Sequence, residues 1–263
     1  MKIYIMTDIE GTAGVVDFES QSYGTGKYYE KAKELLTEEV NAAARGATEA
    51  GADEILVVDG HGAGGIVFEN LHPGIKLLHG RPVPSHWGMD LQKWDAMFLL
   101  AHHAMNGVDD GNLNHSYSSL SIVKMLLNGK PIGEIGMNIY LAGCYGIPCV
   151  LITGDEAACR EGKSYVPGVE KAVVKWGMNR TCAISLSPAK ARELIQESAC
   201  RAVKRVKDIK PVTIKGKCEF VIEYLSSADA FGHGRQPGVE RVDSRTVRIR
   251  AKNFLELFSK WMG

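Results

Sequence analysis

Four short apolar runs in this chain each stop on groups able to hold a metal or move a proton. Lys2-Ile-Tyr-Ile-Met-Thr ends on Asp8-Ile9-Glu10-Gly11, and Ile55-Leu-Val-Val58 ends on Asp59-Gly60-His61. Ala96-Met-Phe-Leu-Leu-Ala101 ends on His102 and His103, and Cys149-Val-Leu-Ile152 is followed by Gly154-Asp155. In an open parallel α/β sheet the loops at the carboxyl ends of the strands converge on one edge, where ligands bind. Four endings rich in Asp, Glu and His predict one crowded site on such an edge. The chemistry of those side chains points to a metal-dependent hydrolase.

The intervening segments support this sheet. From Tyr29 to Ala50 the residues Ala32, Leu35, Leu36, Val40, Ala43 and Ala47 fall at three- and four-residue intervals with charges between them, which predicts a long helix ending at Gly51. Residues 2–58 therefore read as one βαβ unit. Ser121 to Leu127, Asn128-Gly129 and Pro131-Ile132 read as a hairpin, because Asn-Gly suits a type I′ turn. A helix is expected from Glu134 through Ala142, and another from the Ser187-Pro188 start to about Val206. Lys207 to Pro211 reads as a linker, followed by strands near Cys218–Tyr224 and Val242–Ile249 and an amphipathic helix around Phe254–Trp261. The expected fold class is α/β, a mainly parallel sheet flanked by helices with a smaller C-terminal α+β lobe. Residues 1–206 would form the metal-binding catalytic domain and 212–263 the smaller segment.

Composition narrows the partners. Lysine plus arginine equals aspartate plus glutamate at 31 each, so no global field favours nucleic acid or an anionic membrane. No apolar stretch approaches the roughly 20 residues needed to span a bilayer. Asp8 and Glu10 interrupt the first apolar run before a signal-peptide core can form. The 6 cysteines contain no CxxC pair and read as reduced thiols, as in a cytoplasmic protein.

Zinc takes imidazole nitrogen and carboxylate oxygen and keeps a position open in catalytic sites. A two-metal site commonly shares one bridging carboxylate. Asp8, Glu10, His61, His103 and Glu134 supply that mixture. In order and approximate spacing, Asp8-Ile-Glu10-Gly11, Asp59-Gly-His61, His103-Ala104, Asn114-His115-Ser116 and Gly133-Glu134-Ile-Gly136-Met-Asn138 resemble the successive motifs of the D-aminopeptidase (DppA) family. The likeness continues through Gly154-Asp155 and Leu186-Ser-Pro-Ala-Lys190. It implies a zinc-dependent aminopeptidase with two zincs held by Asp8, Glu10, His61, His103 and Glu134, Asp8 being the bridge. It also implies a catalytic His115 outside the ligand set, short peptide substrates with an N-terminal D-residue, and a homo-oligomer in the form of a ring-shaped decamer. His115 would act as electrophile or general acid beside a metal-activated hydroxide. His102 competes with His103 for the ligand role, since neighbours in extended chain face opposite ways. Asp59 is expected to orient His61 or its loop, and Asp155 to do similar work or cap a helix.

Two other readings attach to single motifs. Asp8-Ile-Glu10-Gly11-Thr12 is close to the signature of magnesium-dependent haloacid dehalogenase-type phosphatases, with Asp8 as nucleophile. Against it, Glu stands where the second Asp belongs, and magnesium does not call for imidazoles. Gly60-His-Gly62-Ala-Gly-Gly65 formally satisfies a dinucleotide-binding GxGxxG, but no clear helix opens after it and Pro73 follows soon.

Overall fold

In the computed structural model, which describes residues 1–262, strand β1 (Lys2–Thr7) is buried from Ile3 to Thr7. Helix α1 (Tyr29–Glu49) buries Ala32, Leu36, Val40, Ala43 and Ala47, the stripe its periodicity predicts. β2 (Glu54–Asp59) then pairs parallel to β1, which completes the expected βαβ unit. Ten further strands follow in chain order: β3 (Ile75–Leu78), β4 (Ala96–His102), β5 (Ile122–Leu127), β6 (Lys130–Pro131), β7 (Cys149–Asp155), β8 (Glu170–Asn179), β9 (Cys182–Ser185), β10 (Cys218–Tyr224), β11 (Val239–Arg241) and β12 (Thr246–Ala251). Between and after them lie α2 (Glu134–Cys144), α3 (Glu156–Tyr165), α4 (Pro188–Lys204), α5 (Ser227–His233) and α6 (Phe254–Met262).

The larger sheet has the order β3-β2-β1-β4-β7-β8-β9. Its neighbours run parallel except β9, which folds back antiparallel on β8. Such a sheet is buried on both faces, which is why β4 and β7 are enclosed along their whole length and apolar up to their carboxyl ends. From β1 the order proceeds one way to β2 and β3 and the other way to β4 and β7. The β1–β4 junction is therefore the topological switch point, where a ligand crevice opens at the strand ends. Asp8 and Glu10 leave one side of that junction, and His102 and His103 leave the other.

The smaller sheet, β11-β12-β10-β5-β6, is antiparallel. Its C-terminal strands do not build it alone, because β5 and β6 come from residues 122–131. Asn128 and Gly129 both take positive φ, 50° and 79°, as the type I′ turn between β5 and β6 requires. Along β10, Cys218, Phe220, Ile222 and Tyr224 alternate inward, and α6 covers them with Phe254, Leu257 and Phe258. Trp261 of α6 packs edge-on against Phe220 and Tyr117, so this lobe reaches the site region.

Some expected boundaries shift. The last strand is Thr246–Ala251 rather than Val242–Ile249, because the Asp243 carboxylate accepts the amides of Arg245 and Thr246 and closes a tight turn there. Ser187 occupies the N-cap of α4 without a side-chain hydrogen bond, and Pro188 begins the helix. The Gly60–Gly65 stretch stays a loop, because both Asp59 oxygens accept the Gly65 amide, at 2.8 and 3.0 Å. Among the described residues no helix is long and apolar enough to cross a membrane, and all 6 cysteines are free.

Candidate metal centre

Asp8, the residue after β1, is divided between two imidazoles. Its Oδ1 lies 3.3 Å from His61 Nδ1, and its Oδ2 lies 3.1 Å from His103 Nε2. Glu10 Oε2 stands 3.4 Å from the same His61 nitrogen, and Glu134 Oε1 stands 3.2 Å from the same His103 nitrogen. The structure thus brings together all five residues expected as ligands, in two half-sites that share one carboxylate. His115 sits beside them, its ring stacked on His103 with centroids 3.9 Å apart and its Nε2 3.9 Å from Glu134 Oε1.

One rule orients the three histidines. Each donates one ring N–H to a backbone carbonyl and turns the other nitrogen toward the carboxylates. His61 Nε2 bonds the Ser22 carbonyl at 2.8 Å, His103 Nδ1 the Ala104 carbonyl at 2.9 Å, and His115 Nδ1 the Leu113 carbonyl at 2.9 Å. Such anchors fix the tautomer and aim of a metal-binding imidazole. Ser22 also donates its hydroxyl to Glu10 Oε1, and the Tyr117 amide donates to Glu134 Oε1 at 2.7 Å.

Glu134 opens α2 but does not behave as an ordinary first-turn glutamate, because its side chain turns into the site. His102 also lies on the Asp8 side, with Nδ1 3.9 Å from Asp8 Oδ2, and it lines the cavity. Both rings approach Asp8 Oδ2, and Ala101 just before them takes a positive φ of 58°. His103 makes the closer approach. Gly11 admits no side chain, since a Cβ there would fall 2.2 Å from the Ala101 carbonyl carbon.

The charges are tightly paired. Burial alone would raise the Glu10 carboxyl, but the neighbouring His61 holds it well below the usual range. Burial would lower His61 and His103, yet their carboxylate partners hold both rings well above their ordinary value. His115 moves the other way, pushed down by burial and by the charge of His103. A divalent cation binding here would displace the protons that pair these groups, so its affinity should fall with acid.

The donor set fits such cations. Glu10 Oε2 and His103 Nε2 are buried and have no hydrogen-bond partner despite their short contacts. Asp8, Glu10 and His103 form one group of potential ligand atoms within 4.8 Å of one another, and His103, His115 and Glu134 form a second. Oxygen and imidazole donors of this kind suit zinc.

Residues without a motif of their own hold the site in place. Lys175, in the middle of β8, is fully buried; its ammonium donates to the Glu10 and Val15 carbonyls and to Asn112 Oδ1. It ties the loop that carries Glu10 to the loop that carries His115. Burial pushes its pKa down to about 8. Asp155 caps α3 through the Ala158 amide and also accepts the Asn112 amide, both at 2.9 Å, so it serves as cap and loop support together. Glu39 accepts the Ala13 amide, and Glu161 accepts the Met105 amide. A cavity of about 400 Å³ opens over the cluster, lined among others by Tyr23, Arg81, Trp87, Tyr117, Asn138 and Met262.

The profile of the Peptidase M55 family, described as D-aminopeptidase, matches residues 1–262. A D-aminopeptidase of Bacillus subtilis (strain 168) is 32% identical over 262 residues, which covers 98% of this chain and 94% of that protein. The solved structure of the zinc-dependent D-aminopeptidase DppA from Bacillus subtilis, described as a self-compartmentalizing protease, superposes with a TM-score of 0.92 at 30% identity. That match covers 99% of this chain and 95% of the other.

Proposed function

This chain belongs to the D-aminopeptidase family, and from that premise we propose that it is a zinc aminopeptidase acting on short peptides with an N-terminal D-residue. The observation that carries the reading is the division of Asp8 between His61 and His103, a shared carboxylate between two donor sets. Asp8, Glu10 and His61 would hold one zinc, and Asp8, His103 and Glu134 the other. When bound, zinc supplies Lewis acidity and lowers the pKa of water to about 7.

The chain's own groups do the rest. With Nδ1–H committed to the Leu113 carbonyl, neutral His115 presents a bare Nε2 to the cavity. Its depressed pKa keeps it in that form near pH 7. It takes a proton from the attacking water and passes it to the leaving amine, acting as base and then as the expected general acid, whereas a bare Nε2 does not suit the electrophile role. Phe18 braces the ring edge-on at 5.4 Å. With zinc held there, a neutral peptide amine would serve as a further donor to the metal, which favours trimming from the N-terminus.

We also propose a homo-oligomer, a ring of ten that encloses the cavities. The self-compartmentalizing description of DppA supports it, as do the exposed Trp176, Met178 and Ile184 on the outer β8–β9 edge. The phosphatase alternative is not favoured, because Asp8 lies between imidazoles that magnesium does not need. The test is zinc content on the purified protein with hydrolysis of D-Ala and L-Ala p-nitroanilides, with and without chelator. The reading expects two zincs per chain and chelator-sensitive release, faster for the D-substrate. Faster L-hydrolysis would remove the D-preference, and a protein that binds only magnesium and cleaves phosphate esters would remove the whole reading.

A further inference from the structure

We propose that Arg81 forms a subsite for the C-terminal carboxylate of a short peptide held at the metal cluster. The inference rests on the aminopeptidase reading, which fixes the peptide's N-terminal end at the metal cluster.

Arg81 lies in the segment between β3 and β4 and lines the cavity with an exposed side chain. Its guanidinium is immobilised without being neutralised. It donates to the Asp59 carbonyl from both terminal nitrogens at 3.2 Å, to the Gly80 and Gly60 carbonyls at 3.2 Å and to the His61 carbonyl at 2.8 Å. Its Cζ lies 5.6 Å from the centre of the Trp87 ring. Carbonyl oxygens fix the fork but carry no net charge, and among the described residues no carboxylate lies within 4.0 Å of it. The backbone carbonyls use the terminal N–H groups, so a peptide carboxylate would meet the uncommitted Nε–H and a charge that no counter-anion neutralises, a charge-assisted contact on the cavity wall.

The rest of the cavity sharpens the assignment. Its other charged walls are Asp8, Glu10 and Glu134, and Arg81 is the single lysine or arginine among the lining residues. A peptide lying here has two ends to place, the amine at the metal cluster and the carboxylate at Arg81. The two ends of the cavity are linked through His61. Arg81 bonds the carbonyl of His61, whose own ring meets Asp8 and Glu10. Arg81 also clamps the loop that presents His61, so its test must separate the two roles.

The zinc-loaded enzyme is assayed on D-Ala-D-Ala and on D-Ala-D-Ala amide, which share the scissile bond and differ in the terminal charge. Wild type is expected to favour the free acid by about 10- to 100-fold in kcat/KM, carried mostly by KM, and less so as salt is raised. Arg81→Met, whose stem can still lie on Trp87, should bring the acid-to-amide ratio close to one. Arg81→Lys should keep part of the preference, since it retains the charge and loses the fixed Nε–H donor. Because a ratio is read, a general loss through the His61 loop cancels, and zinc content measured on each variant exposes it directly. The wild-type ratio decides without any variant: a value near one, or preference for the amide, overturns the subsite, as does an unchanged ratio in Arg81→Met. D-Ala p-nitroanilide has no carboxylate, so its hydrolysis reports on the aminopeptidase reading separately. If that substrate and both dipeptides are inert, the reading falls and the subsite falls with it.

Discussion

Glu39 offers a test in which the protein's stability should change with pH in a stated direction. It lies on α1, 3% exposed, with one oxygen on the Ala13 amide at 2.9 Å and the other, Oε2, without a partner. Burial pushes its pKa up to about 7, against the opposing pull of the Ala13 amide, Lys175 and Arg192. In an unfolded chain glutamate titrates at about 4.3. The folded state therefore holds this proton more tightly than the unfolded state between those two values. The stability that comes from the protonated form is complete below about pH 4.3 and is lost as pH rises through about 7. At about 1.36 kcal/mol per pH unit, the gap is worth roughly 3.6 kcal/mol at pH 8. Glu39→Gln keeps the neutral form at every pH. Urea unfolding of both proteins at pH 5, 6, 7 and 8, with chelator present throughout, isolates the effect from metal binding. The advantage of the variant should grow by about 2–3 kcal/mol from pH 5 to pH 8. A difference that stays flat to within about 0.5 kcal/mol would mean that Glu39 ionises as freely as a surface carboxylate, and the burial argument would be wrong.

The site itself supports further tests. His103→Ala should lose zinc and activity together, read by metal analysis on the purified variant; retention of both zincs would move the ligand role to His102. His115→Ala should keep its metals and lose about 10²- to 10⁴-fold in kcat, and near-normal turnover would remove it from the proton transfer. Lys175→Met should cost roughly 2–4 kcal/mol in urea unfolding, because two carbonyls and the Asn112 amide oxygen lose their donor in a dry interior. A cost below about 1 kcal/mol would show that the two loops hold their places without the ammonium.

The residues divide clearly into those whose roles were legible in sequence and those whose roles were not. Asp8, His61 and His103 follow apolar runs, and a strand that ends on a polar group places that group at the sheet edge wherever the strand sits. The order of β2, β1, β4 and β7 then makes the endings neighbours. Glu134 needed the family motif, since a glutamate opening a helix has no distinctive pattern. Lys175 was invisible: in Val173-Val-Lys-Trp176 a lysine reads as the solvent-facing residue of a strand. Its burial depends on two loops from other parts of the chain closing over it. Ser22 acts largely through its backbone carbonyl, which side-chain identity does not reveal. Asn128-Gly129 marked the β5–β6 hairpin, but nothing local said that β5 would pair with β10 some ninety residues later. That pairing is set by the shared core of Met125, Leu127, Phe220 and Ile222.

The route of the chain between its two sheets has a consequence for how the protein is made. Synthesis proceeds from the N-terminus, and domains generally fold as they emerge. β1, β2, β4 and β7 leave the ribosome early enough to assemble the edge that holds Asp8, His61 and His103. The β5–β6 hairpin emerges among them, yet its partner β10 arrives only with residues 218–224 and its cover α6 only with 254–262. Until then the apolar side chains of Met125 and Leu127 have no core to enter, and Tyr117 has no Trp261 to pack against. A nascent chain would therefore carry its metal-binding edge before it carries the wall that shapes the cavity. The unfinished hairpin is where a folding chaperone, or a premature contact with another copy, would first take hold.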